Sequence, residues 1–358
     1  MDRREFLKAT GAAAAAATAA GAQTAAAARE SLAAPAVASG VKELRLAFPW
    51  PDGVAGPADQ AHRLGQRLTA MSGGRYRIAF LPCADSGLAA VRAGDADLYY
   101  ASEHDHLDAH PALAYFAGLP GERGIAARHL SAWMLVGGGQ QLWDELAAEL
   151  GVKAMLAGHT GGRPCFVASR RLSAMRELAG EKVVVSGLAR DVVRGFGLEP
   201  AALPLSHVAA ALAGGELLAA ECGGAIASYG LGLLRAASHS AGVSVNRHGS
   251  AVALGLRRSL WEKLPAGDQA MFTAAAAAEY ELALAEEEAH RHFLYPEPDA
   301  DRTWPLAREL SRAIGRVSDA VVAHVAACDL HAQRINAGYA AFRRALLPGE
   351  PASTHEIA

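Results

Sequence analysis

The chain has 358 residues, of which 51% are hydrophobic and 20% charged, and its formal net charge is −3. This balance excludes an intrinsically disordered chain, and it provides no basic field to hold nucleic acid or an anionic membrane, so we expect no nucleic-acid partner. After residue 28 no uninterrupted apolar run reaches the ~18 residues that indicate a membrane span, and the length fits roughly two domains.

The N-terminus carries an export signal. Residues 3–8 read Arg-Arg-Glu-Phe-Leu-Lys, and an alanine-rich stretch with small residues suited to cleavage follows, between Ala22 and Ala28. We therefore predict a twin-arginine signal peptide over residues 1–28 and localisation in the periplasm. In that oxidising compartment the cysteines either remain buried free thiols or pair, and their spacing does not decide which. They are Cys83, Cys165, Cys222 and Cys328.

The first part of the chain alternates between strand and helix patterns. Lys42 to Phe48 alternates apolar and polar residues, as a strand does, and apolar residues three or four apart over 56–72 predict a helix. Residues 76–80 alternate again. A short helix over 88–93 and a strand over 97–101 follow. Helical crossovers between the strands predict parallel pairing.

A similar unit recurs later in the chain. We predict a strand over 182–185, a helix over 190–196 and a strand over 201–205, before a phrase at 213–220 that echoes 93–100. The sequence therefore predicts an α/β fold of two lobes. Lobe I spans 41–158 and is completed by part of 246–300, and lobe II spans 159–245. Ligands of such folds bind in the cleft outside the carboxyl ends of the strands.

The C-terminal third is predicted to be helical. Apolar stripes run through 268–293, 306–328 and 335–346 and indicate long helices, with those of 303–346 packing across both lobes.

Motifs for common catalytic chemistry are absent. The sequence contains no G-x-S-x-G, no GxGxxG and no Walker motif. Glu103 to His110 alternates acidic and histidine residues, a pattern that either holds a divalent metal or forms an exposed loop without one.

Residues 43–345 resemble a known family. The phrases that carry the likeness are Phe48-Pro49-Trp50-Pro51, Ser72-Gly73-Gly74-Arg75, Val91 to Asp97, Leu142 to Leu146, Ala211 to Glu221 and Leu260 to Pro265. In this order they resemble the solute-binding proteins of tripartite ATP-independent periplasmic (TRAP) transporters, in the branch that binds 2-oxo acids and other monocarboxylates.

The resemblance implies a type II-like periplasmic fold, in which an interlobe cleft captures a small organic solute of carboxylate type by lobe closure. It implies delivery to TRAP membrane permease subunits, no enzymatic activity and no cofactor. Members of the similar branch pair through long C-terminal helices, so a homodimer is expected.

The ligand site diverges from the family pattern. Val184 stands where the family has an arginine that binds the ligand carboxylate, and Cys222 stands where the branch has tryptophan. In similar proteins the glutamate that corresponds to Glu221 helps coordinate a cation that bridges the ligand. A glutamine that the family has in the region of Arg163 is replaced or displaced here. Arg163 either substitutes for the charge of the missing arginine or is a surface residue.

Six residues are candidates for the ligand site. Glu221 ends a strand. Its carboxylate either faces the cleft, where it is also the candidate metal ligand, or is hydrated by solvent. The Trp50 ring is either a wall of the cleft on which the ligand stacks or a residue of the core. The full set is Trp50, Tyr100, Arg163, Glu221, Cys222 and His248. Two other functions stay open: an exported enzyme that uses Glu221 as acid or base, and a ligand sensor that has lost transport.

Overall fold

A computed structural model of the chain describes residues 40–83, 87–162, 166–294 and 301–347, with the backbone alone for Arg291 and His292. The predicted signal peptide, Arg163 and Cys165 lie outside the described residues. The chain divides into two units, Met1–Lys42 and Glu43–Ala358, and the second holds the helices and the core.

Two five-stranded sheets form the framework. The first has the order β2-β1-β3-β10-β4 and the second the order β7-β6-β8-β5-β9. We refer to the parts built on them as lobe I and lobe II. The strands are β1 (Lys42–Phe48), β2 (Tyr76–Pro82), β3 (Leu98–Ser102), β4 (Val152–His159), β5 (Val167–Ala168), β6 (Lys182–Val184), β7 (Glu199–Pro200), β8 (Ala219–Ala220), β9 (His239–Ser240) and β10 (Ala251–Arg257).

Each sheet mixes parallel and antiparallel pairs. In lobe I, β1 pairs parallel with β3, whereas β10 runs antiparallel to both β3 and β4. In lobe II, β6 pairs parallel with β7 and β8, whereas β5 runs antiparallel to β8 and β9. The structure thus has the two-lobed α/β architecture predicted from the sequence.

Helices cover both sheets, and among the described helices none has the length and apolarity of a membrane span. They are α1 (Pro57–Met71), α2 (Leu88–Ala93), α3 (Ala114–Ala117), α4 (Ala127–Leu135), α5 (Gly139–Glu149), α6 (Ala189–Arg194), α7 (Leu205–Ala213), α8 (Ala225–Gly230), α9 (Leu233–Ala236), α10 (Arg258–Trp261), α11 (Ala266–Leu294), α12 (Ala307–Ala326) and α13 (Leu330–Leu346).

Local sequence patterns account for most of these elements. Leu44, Leu46 and Phe48 of β1 are buried, as their alternation predicts. The predicted strand over 201–205 is wrong, because the strand is Glu199–Pro200 and the residues after it run as a loop into α7. That loop forms part of a cavity wall.

Several segments connect the two lobes. The chain passes from β4 to β5 and returns from β9 to β10. Helix α12 packs Leu310 and Ile314 into the core of lobe II, and Val322 and Val325 into the core of lobe I. Helix α12 therefore contacts both cores.

Helix α11 buries acidic residues at core-facing positions. Glu279 is fully buried and accepts hydrogen bonds from Arg63 Nε at 3.0 Å and Nη2 at 2.6 Å, with Arg67 Nη2 at 3.4 Å. Burial raises the pKa of Glu279, and the arginines oppose that rise. The predicted stripe is therefore only partly correct: Met271 is buried, but Ala278 is exposed.

Replacing Glu279 with alanine should destabilise the protein by about 3–5 kcal/mol, because it leaves two arginine side chains beside an unfilled buried site. Chemical denaturation followed by circular dichroism measures the loss. Glu281→Ala, at an exposed position of the same helix, is the control and should change the free energy of unfolding by less than about 0.5 kcal/mol. Equal effects from the two variants would contradict the assigned role of Glu279.

Candidate functional site

A cavity of about 760 Å³ lies between the lobes. Its volume falls within the ~300–1,000 Å³ range of small-molecule sites. Lobe I contributes the ends of β1, β2 and β3, and lobe II contributes the ends of β6 and β8 with the loop before α7. The polar or ionisable lining residues are Trp50, Cys83, Ser102, Asp105, Thr160, Ser186, Arg190, Ser206, Glu221, Cys222 and Ser250.

The lobes touch on either side of this cavity. Gly187 of lobe II has a φ of +62° and lies against His104 of lobe I, so that an added Cβ would come within 2.5 Å of His104 Cγ. Gly230 lies equally close to Ala55, where a Cβ would come within 2.7 Å of the carbonyl oxygen. Leu205 of lobe II packs against the lobe I cluster that contains Trp50. The two lobes are therefore in contact beside the cavity.

The two connections between the sheets are bonded to each other at the cavity. Thr160 N–H donates to the Ser250 carbonyl at 2.9 Å, and Ser250 N–H donates to Thr160 Oγ1 at 2.9 Å. Thr160 also accepts a 2.7 Å hydrogen bond from Gly224 N–H of lobe II. These bonds join the two crossings into one short hinge at the base of the cleft.

Glu221 lies at the end of β8 and is 2% exposed. Val245 N–H and Asn246 N–H donate to its two carboxylate oxygens, each at 2.8 Å. Burial raises the pKa of Glu221, and these hydrogen bonds oppose the rise. The carboxylate is therefore not the hydrated group that one sequence interpretation expected. It lines the cavity and also holds the connection from β9 to β10.

Trp50 and Cys222 also line the cavity. Trp50 is 9% exposed and packs edge-on against Tyr100, with ring centroids 5.9 Å apart. Burial, with a smaller contribution from Glu221, raises the pKa of the Cys222 thiol to about 12, so this side chain is neutral at physiological pH. Val184 lines the same wall and presents an aliphatic surface there.

Tyr100 lies in the core of lobe I behind Trp50. Its hydroxyl donates to Gln60 Oε1 at 3.0 Å, and Gln60 Nε2 donates to the His159 carbonyl at 2.9 Å. Strand alternation does not separate Tyr100 from Tyr99, because helices cover both faces of the sheet and both tyrosines are buried.

His248 is not among the described lining residues. It is half-buried on the connection from β9 to β10, and its ring lies near Gly124. Burial, then Arg247, lowers the pKa of His248, which favours a neutral ring. Arg163 falls outside the described residues.

The sequence analysis missed two charged lining residues, Asp105 and Arg190. Asp105 belongs to a 3₁₀ turn, Glu103–His106, that directly follows β3, and Arg190 belongs to the first turn of α6, shortly after β6. Both therefore lie at the carboxyl ends of strands, where ligands of α/β folds bind. The position of Asp105 and Arg190 shortly after strands is the sequence signal that could have identified them.

The Glu103–His106 turn is not the exposed loop that the sequence suggested. Glu103 and His106 are buried and paired, with His106 Nδ1 2.6 Å from Glu103 Oε2, and Tyr99 donates to Glu103 Oε1 at 2.7 Å. These contacts satisfy both carboxylate oxygens of Glu103 without a metal.

A serine and a histidine also meet at the hinge. Ser250 Oγ lies 2.9 Å from His104 Nδ1, and His104 Nε2 lies 2.7 Å from the Gly118 carbonyl. Burial lowers the pKa of His104 to about 4, so the ring is a weak base. A backbone carbonyl, rather than a carboxylate, orients it. This pair connects the hinge to lobe I and does not form a strong nucleophile–base pair.

Comparison with known proteins agrees with this geometry. Residues 1–22 match the family model of the twin-arginine translocation pathway signal sequence. A monocarboxylate 2-oxoacid-binding periplasmic protein of Nostoc sp. is 26% identical over 236 residues, or 64% of this chain, and the match spans 64% of that relative. The signal and this relative support the predicted export to the periplasm.

Solved structures match over a larger share of the chain. A TRAP transporter solute-binding protein from Bordetella bronchiseptica, crystallised with calcium and picolinate, superposes with a TM-score of 0.78 at 21% identity, covering 86% of this chain and 93% of its own. The chain has the fold of the TRAP periplasmic solute-binding proteins. One from Colwellia psychrerythraea, with calcium and pyruvate bound, gives 0.77 at 19% identity, covering 86% of this chain and 95% of its own. These matches confirm the resemblance to TRAP solute-binding proteins drawn from the sequence.

Buried histidines near the hinge should make the folded state sensitive to acid. Burial lowers the pKa of His159 to about 3, from 6.5 in the unfolded chain, so the unfolded state takes up a proton first. The free energy of unfolding therefore decreases as the pH falls from 6.5 toward 3, by up to about 1.4 kcal/mol per pH unit.

His159→Asn removes this titration and keeps an acceptor for Gly161 N–H, which donates to His159 Nδ1 at 3.0 Å. We expect denaturation curves between pH 6.5 and 4 to fall less steeply for the variant than for the wild type. An unchanged slope would show that His159 is protonated in the folded protein. His207→Asn, on the half-exposed surface of α7, is the control.

Proposed function

We propose that the chain is the periplasmic solute-binding subunit of a TRAP-type transporter. It captures a small organic solute of carboxylate type between its lobes and delivers it to the membrane permease subunits. The observation that carries this proposal is the interlobe cavity, lined by charged and hydroxyl groups from both lobes, in a chain with a periplasmic export signal.

Capture by lobe closure follows from the contacts around the cavity. A ligand that bridges the lobes stabilises the closed arrangement by its difference in affinity for the closed and open states. The paired crossings at Thr160 and Ser250 are short, which suits a hinge. Contacts such as Gly187 against His104 would form only on closure, and the permease would receive a closed, loaded protein.

We propose binding without catalysis. The relatives with this fold are binding proteins of transporters, and the Ser250–His104 contact offers only a weak base. Of the alternatives that the sequence left open, an exported enzyme is therefore disfavoured, and a ligand sensor would use the same cavity and closure.

Among the six sequence candidates, Trp50, Glu221 and Cys222 are proposed to face the ligand. The place of the family arginine is occupied by Val184, so the ligand's carboxylate needs another partner. Arg163 and His248 remain predictions from the sequence, and Tyr100 is proposed to support Trp50 from the core.

A bridging cation fits the environment of Glu221. Asn246 N–H donates to this carboxylate, and Asn246 Oδ1 is buried without a hydrogen-bond partner among the described residues. Carboxylate and amide oxygens are the ligands that hard cations such as Ca²⁺ prefer. A cation there would satisfy the orphaned oxygen and offset the cost of burying Glu221.

The predicted lobe boundaries, at 41–158 with part of 246–300 and at 159–245, remain proposals, as does a homodimer. Positions Met271 and Ala275 of the stripe in α11 pack into lobe I, so a dimer would use the exposed face of that helix.

The function is tested by calorimetry on the purified protein with pyruvate and a panel of 2-oxo acids and monocarboxylates, in Ca²⁺ and in EDTA. We expect an acid to bind, and Glu221→Gln to weaken its binding at least tenfold, or ~1.4 kcal/mol, because an amide cannot accept both backbone N–H groups. Glu216→Gln, exposed ahead of β8, is the control.

Calorimetry with EDTA separates the two parts of this proposal. If an acid binds equally well in EDTA, a bridging divalent cation is wrong and solute capture stands. If no acid in the panel binds in either buffer, the carboxylate-type solute is wrong.

Lobe closure is tested with Gly187→Val. The new side chain would collide with His104, so we expect small-angle scattering of the ligand-saturated variant to give a larger radius of gyration than that of the wild type. Gly180→Val is the matched control, because Gly180 also has a positive φ, of +77°, but a Cβ there meets open space. Equal compaction of the two variants would show that the Gly187 contact is not part of closure.

A further inference from the structure

Two opposite charges face the cavity from different lobes. Asp105 follows β3 of lobe I, Arg190 lies in the first turn of α6 of lobe II, and both line the cavity. Among the described lining residues Arg190 is the one basic side chain. Asp105 and Glu221 are the two acidic ones.

Neither charge is neutralised within the part of the chain that the structure describes. The carboxylate of Asp105 makes no ion pair there, in contrast to neighbouring Glu103, which pairs with His106. The guanidinium of Arg190 makes only one long hydrogen bond, from Nε to the Val185 carbonyl at 3.4 Å. That bond tethers the arginine to the end of β6 and leaves its other N–H groups available.

The two charges interact through the cavity without touching. Burial raises the pKa of Asp105, and His106 and then Arg190 oppose that rise. Asp105 and Arg190 are beyond the 4.0 Å of an ion pair. Surface of Asp105 is exposed, and it opens into the cavity. A gap lined by an anion on one side and a cation on the other matches a ligand with complementary ends.

We propose that Arg190 and Asp105 form a two-point site for an amino-bearing organic acid. The guanidinium of Arg190 binds the ligand's carboxylate, and the carboxylate of Asp105 binds its ammonium group. Arginine can hold a carboxylate through two parallel hydrogen bonds, which gives this end direction as well as strength. The ligand thereby connects lobe II to lobe I.

This inference rests on the proposed function, since it assumes that the cavity captures a solute, and it narrows the solute class. A simple monocarboxylate would satisfy Arg190 and leave Asp105 without a partner of opposite charge. An amino acid satisfies both, so selectivity for the amino group arises at Asp105.

The test is calorimetry with α-amino acids and with ω-amino acids of three to six carbons, each paired with the acid that lacks the amino group. We expect at least one amino acid to bind tenfold or more tightly than its partner. Arg190→Gln should weaken the amino acid and its partner alike by tenfold or more. Asp105→Asn should weaken the amino acid alone, to the level of its partner.

The control variants remove the same kinds of charged side chain at positions outside the cavity lining. Arg194→Gln removes an exposed arginine of α6 that pairs with Asp191, and Asp108→Asn removes an exposed acid near Asp105. Both should bind as the wild type does, and thermal melts should show all four variants folded.

Each other outcome overturns the inference in a distinct way. If paired acids bind as tightly as amino acids and Asp105→Asn changes neither, the two-point site is wrong while solute capture stands. If no amino acid binds but an acid does, the same conclusion holds. If no compound binds, the site proposal fails together with the carboxylate-type function.

Discussion

The buried carboxylate of Glu221 is the constraint on which the cavity depends. A charged group removed from water is costly unless its oxygens are bonded, and here the backbone N–H groups of Val245 and Asn246 supply the bonds. Because the carboxylate needs these hydrogen bonds, the end of β8 is held against the connection from β9 to β10. One side chain thus sets the position of the hinge and forms part of the cavity wall, which links the stability of lobe II to the shape of the binding site.

A second constraint is steric and acts between the lobes. Gly187 and Gly230 let the backbone of lobe II approach lobe I more closely than any side chain would allow. Between these contacts the charged residues Asp105 and Arg190 remain apart, each without an ion-pair partner among the described residues. Close backbone contact between the lobes and separated charges in the lining leave room for a small polar ligand to bind between them.

Helix α11 joins the lobes through polar groups at buried positions. Glu279 pairs with Arg63 on the lobe I side, and Glu287 accepts a hydrogen bond from Ala225 N–H of lobe II at 2.8 Å. Apolar residues at these positions would bury the same area without specifying a partner. The acidic groups instead require particular donors, so they fix the rotation of the helix against both lobes.

The sequence by itself determined the export signal, the α/β class, the two-lobed plan and most element bounds. Hydrophobic periodicity and the glycines that end helices are local properties of the sequence. Trp50 and Glu221 were selected because strand ends mark clefts, Cys222 was selected through the family resemblance, and all three line the cavity. Only the tertiary structure decided that Tyr100 lies in the core, that Glu221 is bonded to a distant crossing and that Asp105 and Arg190 share one cavity. These facts depend on pairs such as Glu221 with Asn246, or Arg63 with Glu279, which are far apart in the chain. No local pattern encodes such pairs, because packing brings them together.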